Sequence, residues 1–246
     1  MSQKVGISAL KNTPDPTNPN SGFDEFAPNY DSALSEGLSV SGEGKEYFAR
    51  RRIEWLDRQL KQIGEKPLNV MDYGCGTGSS TPYFFEILNV RSVIGVDSSF
   101  ESIKIAQQTY GCANSQFLQP KDYSPSEELD LLFCNGVFHH IPPNERDKAV
   151  NFLHRSVRRG GLLGFWENNP WNPGTRLVMK RIPFDRDAIT LTALESRQML
   201  RRCGFEILRT DFLFIFPRVL RGLRGIEPFV SRLPVGAQYQ ILCRKA

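Results

Sequence analysis

The sequence predicts an α/β fold, a seven-stranded and mostly parallel sheet with helices on both faces. Three observations carry that prediction. Short apolar runs of strand length recur along the chain, as in Leu129-Asp130-Leu131-Leu132-Phe133-Cys134-Asn135. Segments of helical length lie between them, and strands alternating with helices imply a parallel sheet buried on both sides. The first run ends in an acid and three alternating glycines, Asp72-Tyr73-Gly74-Cys75-Gly76-Thr77-Gly78, a turn that lets a ligand approach the backbone closely.

The elements follow in order. Residues 1–22 hold three prolines and little to bury, and read as a disordered tail before a single domain spanning 23–246. Within it, 23–66 supplies an N-terminal cap, including a helix over 43–63 in which Phe48, Ile53, Leu56, Leu60 and Ile63 fall near helical spacing. Strands are expected at 68–73, 92–97, 115–119, 129–135 and 161–167, with helices at 79–88, 99–109 and 144–158. The stretch 168–186 carries three prolines and reads as a structured loop. A helix at 193–203, a strand from 205 to about 216 and a last strand at 238–244 complete the fold. The segments 168–190 and 214–236 read as insertions on the substrate side. In sheets of this kind, ligands bind beyond the carboxyl ends of the strands, where strand order reverses. The glycine turn falls there.

Composition narrows the function. A chain of 246 residues buries a full core as one large domain, and 40% hydrophobic with 24% charged residues is ordinary for a globular protein. The net charge of +4 is mild and does not call for nucleic acid. Five cysteines without a C-x-x-C motif fit neither a disulfide framework nor a zinc knuckle. Reduced thiols are expected, with no secretory opening and no apolar run near ~18 residues, so the expected location is cytoplasmic.

The glycine turn also limits its ligand. A dinucleotide site would read G-x-G-x-x-G, whereas here the third glycine comes one residue early and Ser79 fills its slot. Asp72 would repel a pyrophosphate and would suit a nucleoside with a positive end. Asp97 closes the second strand about 20 residues further on, the spacing at which a carboxylate grips both ribose hydroxyls. The other reading is that Asp97, with Ser98 and Ser99, only caps the next helix.

On these residues the chain resembles the class I S-adenosylmethionine-dependent methyltransferases of the small-molecule type, which have a Rossmann-like fold. The likeness runs in order through Asp72–Gly78, Asp97, Leu129–Gly136 and the turn Arg159-Gly160-Gly161 into Leu162-Leu163-Gly164-Phe165. It implies S-adenosylmethionine as cofactor, its methionine and ribose lying against Asp72–Gly78, its ribose on Asp97 and its adenine amino group on Asp122. It assigns cofactor contacts to Tyr30, Asp72, Gly74, Cys75, Gly76, Gly78, Asp97, Ser98, Asp122 and Asn135. Tyr30 would lid the cofactor, or pack in the core. Asp72 would serve the α-ammonium through water or backbone, or hold the loop by accepting N–H bonds.

Methyl transfer from a sulfonium needs alignment and exclusion of water, and a base only when the acceptor must lose a proton. His139, His140 and Glu167 are the candidates on the acceptor side, against a reading of the histidines as packing groups. Two histidines without a third ligand do not make a metal site, and no metal is expected. The run Asn168-Asn169-Pro170-Trp171-Asn172-Pro173 offers amides and an indole that suit a sugar ring, or forms a rigid loop.

The acceptor is narrowed by what stands after the fourth strand. Asn135-Gly136-Val137-Phe138 takes the place of the [Asp/Asn]-Pro-Pro-aromatic tetrad that accompanies amino-group methylation of nucleobases in this family. The tetrad's absence speaks against a nucleobase, and the expected acceptor is a small molecule, such as a saccharide or a lipid-linked metabolite. The alternatives are a nucleic-acid or protein methyltransferase, or a cofactor-binding module without catalysis. In 217–234, Arg218, Arg221 and Arg224 recur every third residue with Val219, Leu220, Leu223 and Ile226 between them. That pattern fits a basic amphipathic element on an anionic membrane, or a helix packed on the sheet with its arginines in water.

Overall fold

Strand order explains where the glycine turn lies. The computed structural model describes residues 24, 34 and 36–246. Helix α1 (Lys45–Gln62) leads into β1 (Asn69–Tyr73), followed by α2 (Thr81–Leu88), β2 (Ser92–Val96), α3 (Phe100–Tyr110) and β3 (Ser115–Leu118). The second half runs β4 (Leu129–Asn135), α4 (Arg146–Ser156), β5 (Val157–Asn168), α5 (Pro173–Arg181), α6 (Ala193–Arg202), β6 (Phe205–Leu213) and β7 (Gln238–Lys245). The seven strands form one sheet in the order β3-β2-β1-β4-β5-β7-β6. Strands β1 to β5 pair in parallel, and β7 inserts antiparallel between β5 and β6. Order reverses between β1 and β4, so a crevice opens beyond Tyr73 and Asn135.

The core forms on both faces because β4 is apolar on both. Leu131 and Phe133 point to a cluster with Ile53 and Leu56 of α1 and Phe84 of α2. Leu132 and Cys134 point the other way, to Val150 and Leu153 of α4 and Leu200 of α6. A near-continuous apolar strand of this kind signals burial between two helical layers.

Helix starts are set by side chains that satisfy free N–H groups. Ser99 accepts from the Ser102 N–H at 3.1 Å and opens α3. Thr192 and Glu195 form a reciprocal capping box that opens α6. Among the described residues, no helix is long and apolar enough to cross a membrane.

Four expectations need correction. The stretch 168–186 is not all loop, because α5 lies inside it. Asn172 accepts the Thr175 N–H at 3.0 Å, and Pro173 takes the first helical position, where its missing N–H costs nothing. Strand β5 begins at Val157 rather than 161, and β6 ends at Leu213 rather than near 216. The arginine-rich segment is a 3-10 element, Arg218–Ile226, broken at Leu220, and not a continuous α-helix.

Candidate active site

The glycine turn is built against β2. Gly74 and Cys75 donate their N–H groups to the Val96 carbonyl at 2.7 and 3.2 Å. Gly74 has φ of 75°, and a Cβ there would collide with Val137, so only glycine fits. Gly76 also has a left-handed φ, 52°, but a Cβ on it would meet nothing within 4 Å, so its backbone faces open space. Asp97 braces the turn, one oxygen accepting the Gly76 N–H at 2.8 Å and the other the Ser99 N–H at 2.9 Å.

Asp72 is buried beneath the turn. Burial pushes its pKa up to about 8, the neighbouring Asp97 adds to the rise, and Arg52 opposes it. The carboxyl is therefore largely protonated at neutral pH, and a cation arriving beside it favours the ionised form.

Beyond the turn lies a cavity of about 390 Å³. Asp72, Gly74, Cys75 and Gly76 form one wall, with Asn135 and Gly136 at the end of β4. His139, His140, Thr175, Met179, Phe184 and Asp185 form another, and Phe214 to Pro217 border it. The Asn135 Oδ1 is buried on that wall without a hydrogen-bond partner, and an acceptor in such a position calls for a donor from a ligand.

The histidine wall is locked from behind. Glu167 is fully buried, and it accepts the Phe138 N–H at 2.7 Å and pairs with His139 Nδ1 at 2.6 Å. Arg146 Nε donates to the carbonyls of Phe138 and Ile141 at 3.0 and 2.9 Å, which fixes the same turn. Asp185 faces both rings, 3.6 Å from His139 Nε2 and 3.3 Å from His140 Nε2. Burial disfavours charge on His139, yet Glu167 and Asp185 outweigh it and raise its pKa to about 10. Burial also acts on Asp185, but hydrogen bonds from the two histidines hold its pKa below the usual carboxylate value. At neutral pH His139 is therefore an imidazolium clamped between two carboxylates, and it has no lone pair for a base's work.

His139, His140 and Asp185 each bring one donor atom to within 4.8 Å of the others, so Asp185 supplies the third group that the two histidines lacked in sequence. A metal ion there would have to displace the proton on His139.

The methyltransferase domain family matches residues 70–161, from β1 to the start of β5. A methyltransferase of Bacillus mycoides (strain KBAB4) is 30% identical over 193 residues, 77% of each chain. The chain belongs to the class I S-adenosylmethionine-dependent methyltransferases. Trans-aconitate 2-methyltransferase of Rhodopseudomonas palustris (strain BisB5) is 29% identical over 150 residues, 58% of this chain. The chain spans about half the length of such relatives, 57% of that protein and 44% of its counterpart in Azoarcus sp. (strain BH72). A solved methyltransferase of Thermotoga maritima, titled a possible histamine N-methyltransferase, covers 91% of this chain and 98% of its own, with a TM-score of 0.59 at 18% identity. An S-adenosylmethionine-dependent methyltransferase of Mesorhizobium loti covers 78% of this chain with a TM-score of 0.57 at 16% identity. These two likenesses establish the fold.

The cofactor of this methyltransferase family is S-adenosylmethionine, and the residues present fit it. The open backbone at Gly76, the buried acid Asp72 and the orphaned Asn135 Oδ1 suit a ligand with a cationic end and polar donors. Other assigned residues stand elsewhere. Asp97 and Ser98 lie behind the turn and do not line the cavity, and Asp97 holds the turn and the start of α3 together. Gly78 packs toward Tyr110, Phe117 and Ala106, and Asp122 is exposed at the end of the single turn Pro120–Asp122. Tyr30 lies outside the described residues.

On the acceptor side, two readings of the methyltransferase sequence are revised. Glu167 does not face the cleft, because both of its oxygens are engaged behind His139. Trp171 is 61% exposed and does not line the cavity, while Asn169 donates to the Pro234 and Gly236 carbonyls. The run after β5 thus brings two of its amides, Asn168 and Asn172, to the cavity, but not its indole. Asp185 was missed altogether. It lies in Pro183–Asp185, a single turn without periodicity, and only tertiary folding brings it to the histidines. Asp24 was missed too, and it accepts from the Ser99 hydroxyl at 2.7 Å behind the cofactor wall.

Proposed function

We propose that this protein transfers the methyl group of S-adenosylmethionine to a hydroxyl or amine of a small-molecule acceptor, with His140 taking the acceptor's proton. One observation carries the reading. A single cavity has the glycine turn on one wall and the His140–Asp185 pair on the other. Bound against the turn, the cofactor supplies a methyl group already activated on a sulfonium. The protein's own work is then positional. Asp72 and Asn135 hold the cofactor's polar end, and Phe184 and Met179 exclude water from the far wall. His140 accepts a proton as the acceptor's oxygen or nitrogen attacks, and Asp185, 3.3 Å away, stabilises the imidazolium that forms. The His139–Glu167 pair keeps the His140 turn in place.

A small acceptor is supported by the relatives named trans-aconitate 2-methyltransferase, which by name act on a small molecule. A lipid-linked acceptor is supported by the apolar border of the cavity at Ile215, Phe216 and Pro217. Support for a stacked sugar is weaker, since Trp171 stands away from the cavity.

Turnover of labelled S-adenosylmethionine with metabolite and glycolipid extracts tests the reading. His140→Ala is expected to lower kcat by 10²–10⁴-fold, the usual worth of a general base, while cofactor affinity stays within twofold. Full turnover by His140→Ala would remove His140 from the mechanism. Cofactor binding without any turnover across the extracts would favour a non-catalytic binding module.

A further inference from the structure

Among the described residues, five of the fifteen exposed large apolar side chains fall within the eleven residues 219–229. Val219, Leu220, Leu223, Ile226 and Phe229 all face outward, Val219 at 87% and Phe229 at 86% exposure. Apolar residues scattered singly over a surface need no explanation, but a contiguous set marks an interaction site. No residue of the 3-10 element Arg218–Ile226 is buried, so the element does not pack its apolar side on the sheet.

The segment is nevertheless anchored. Arg224 pairs with Glu43 at 2.9 Å, lies 4.6 Å over the Tyr47 ring and donates to the Phe216 carbonyl at 3.2 Å. The buried Glu227 accepts the Ile215 N–H at 2.7 Å. One of the three repeating arginines is therefore an inward tether, while Arg218 and Arg221 are exposed beside the apolar side chains. From Phe212 to the C-terminus the only acid is Glu227, and it is buried, so the exposed charge here is positive.

We propose that this segment docks the protein on an anionic lipid surface. Val219, Leu223, Ile226 and Phe229 enter the boundary between headgroups and acyl chains, and Arg218 and Arg221 meet the lipid phosphates. The charge pattern selects this occupant. A second copy placed face to face would set arginine against arginine, whereas an anionic bilayer complements both the apolar set and the charge. Ile215, Phe216, Pro217 and Arg224 also line the cavity, so docking brings its border to the membrane. If the proposed methyl transfer holds, the acceptor then reaches the site from the bilayer and carries an apolar tail, a consequence that rests on that reading.

Flotation of the full chain with phosphatidylcholine vesicles, and with vesicles that also contain phosphatidylglycerol, tests the docking without reference to turnover. Binding is expected to the mixed vesicles, weakening with salt, and about thirtyfold less to phosphatidylcholine alone, the worth of two arginines near an anionic surface. Phe229→Asp combined with Val219→Asp is expected to weaken binding at least tenfold, and Arg218→Glu with Arg221→Glu to remove the preference for phosphatidylglycerol. Calorimetric titration with S-adenosylmethionine confirms that these variants are folded and separates failure of docking from failure of the methyltransferase reading. No flotation with either vesicle would overturn the proposal, as would flotation unchanged in both double variants. So would a dimer in solution that Val219→Asp dissociates, because the face would then bind a second copy.

Discussion

Asp72 is the residue whose chemistry is most exposed to test. Its folded pKa of about 8 lies far above that of an ordinary aspartate, near ~3.9, so the folded state holds a proton that the unfolded state has lost. The sign follows from linkage: stability contributed by this group declines as pH rises from about 4 to about 8. Asp72→Asn is therefore expected to stabilise the free protein above pH 8 by at least about 1 kcal/mol, read from thermal or denaturant unfolding. Cofactor binding should move the other way. An arriving ammonium favours the ionised acid, so binding at pH 7 should release a proton, seen as a calorimetric heat that varies with the buffer's ionisation enthalpy. Asp72→Asn should abolish that release, and its persistence in the variant would assign the proton to another group.

Residues also show why some roles were legible in sequence and others were not. Gly74 could be read because its positive φ and the close approach of Val137 leave a local signature, an acid followed by alternating glycines. Asp185 could not, since nothing near it in the chain marks it. Glu167 could be placed at a strand end, yet period-two alternation does not say whether a partner fills the space in front of it. His139 does fill that space.

At the scale of elements, β4 was legible to its ends because both faces are apolar and burial leaves no choice of period. Helix α5 was not, because Pro173 reads as a breaker when its place in the helix is unknown. The same residue starts a helix once Asn172 caps it. Asn172 also donates to the Val235 carbonyl at 2.7 Å, which ties α5 to the segment beside the docking surface. Asn172→Ala is expected to cost about 1 kcal/mol in global stability and to lower Tm by about 2–4 °C. Hydrogen exchange should rise first in 173–181. Protection unchanged there would show that packing of Thr175 and Met179, rather than the cap, holds the helix.

For the molecule as a whole, a mostly parallel sheet with helices on both faces was legible from the alternation of strands and helices, whereas the strand order, with β7 between β5 and β6, is not marked by that pattern. The acceptor wall was not legible either, because it is assembled from β4, β5 and the turn at 183–185, three places far apart in sequence. The cofactor wall depends on Asp97, which holds the Gly76 N–H and the start of α3 together. Calorimetric titration of S-adenosylmethionine into the wild-type chain and Asp97→Ala tests that claim most directly. One cofactor per chain is predicted for the wild type, with affinity at least tenfold weaker in the variant, and absence of binding, or equal affinity in the two proteins, would contradict it.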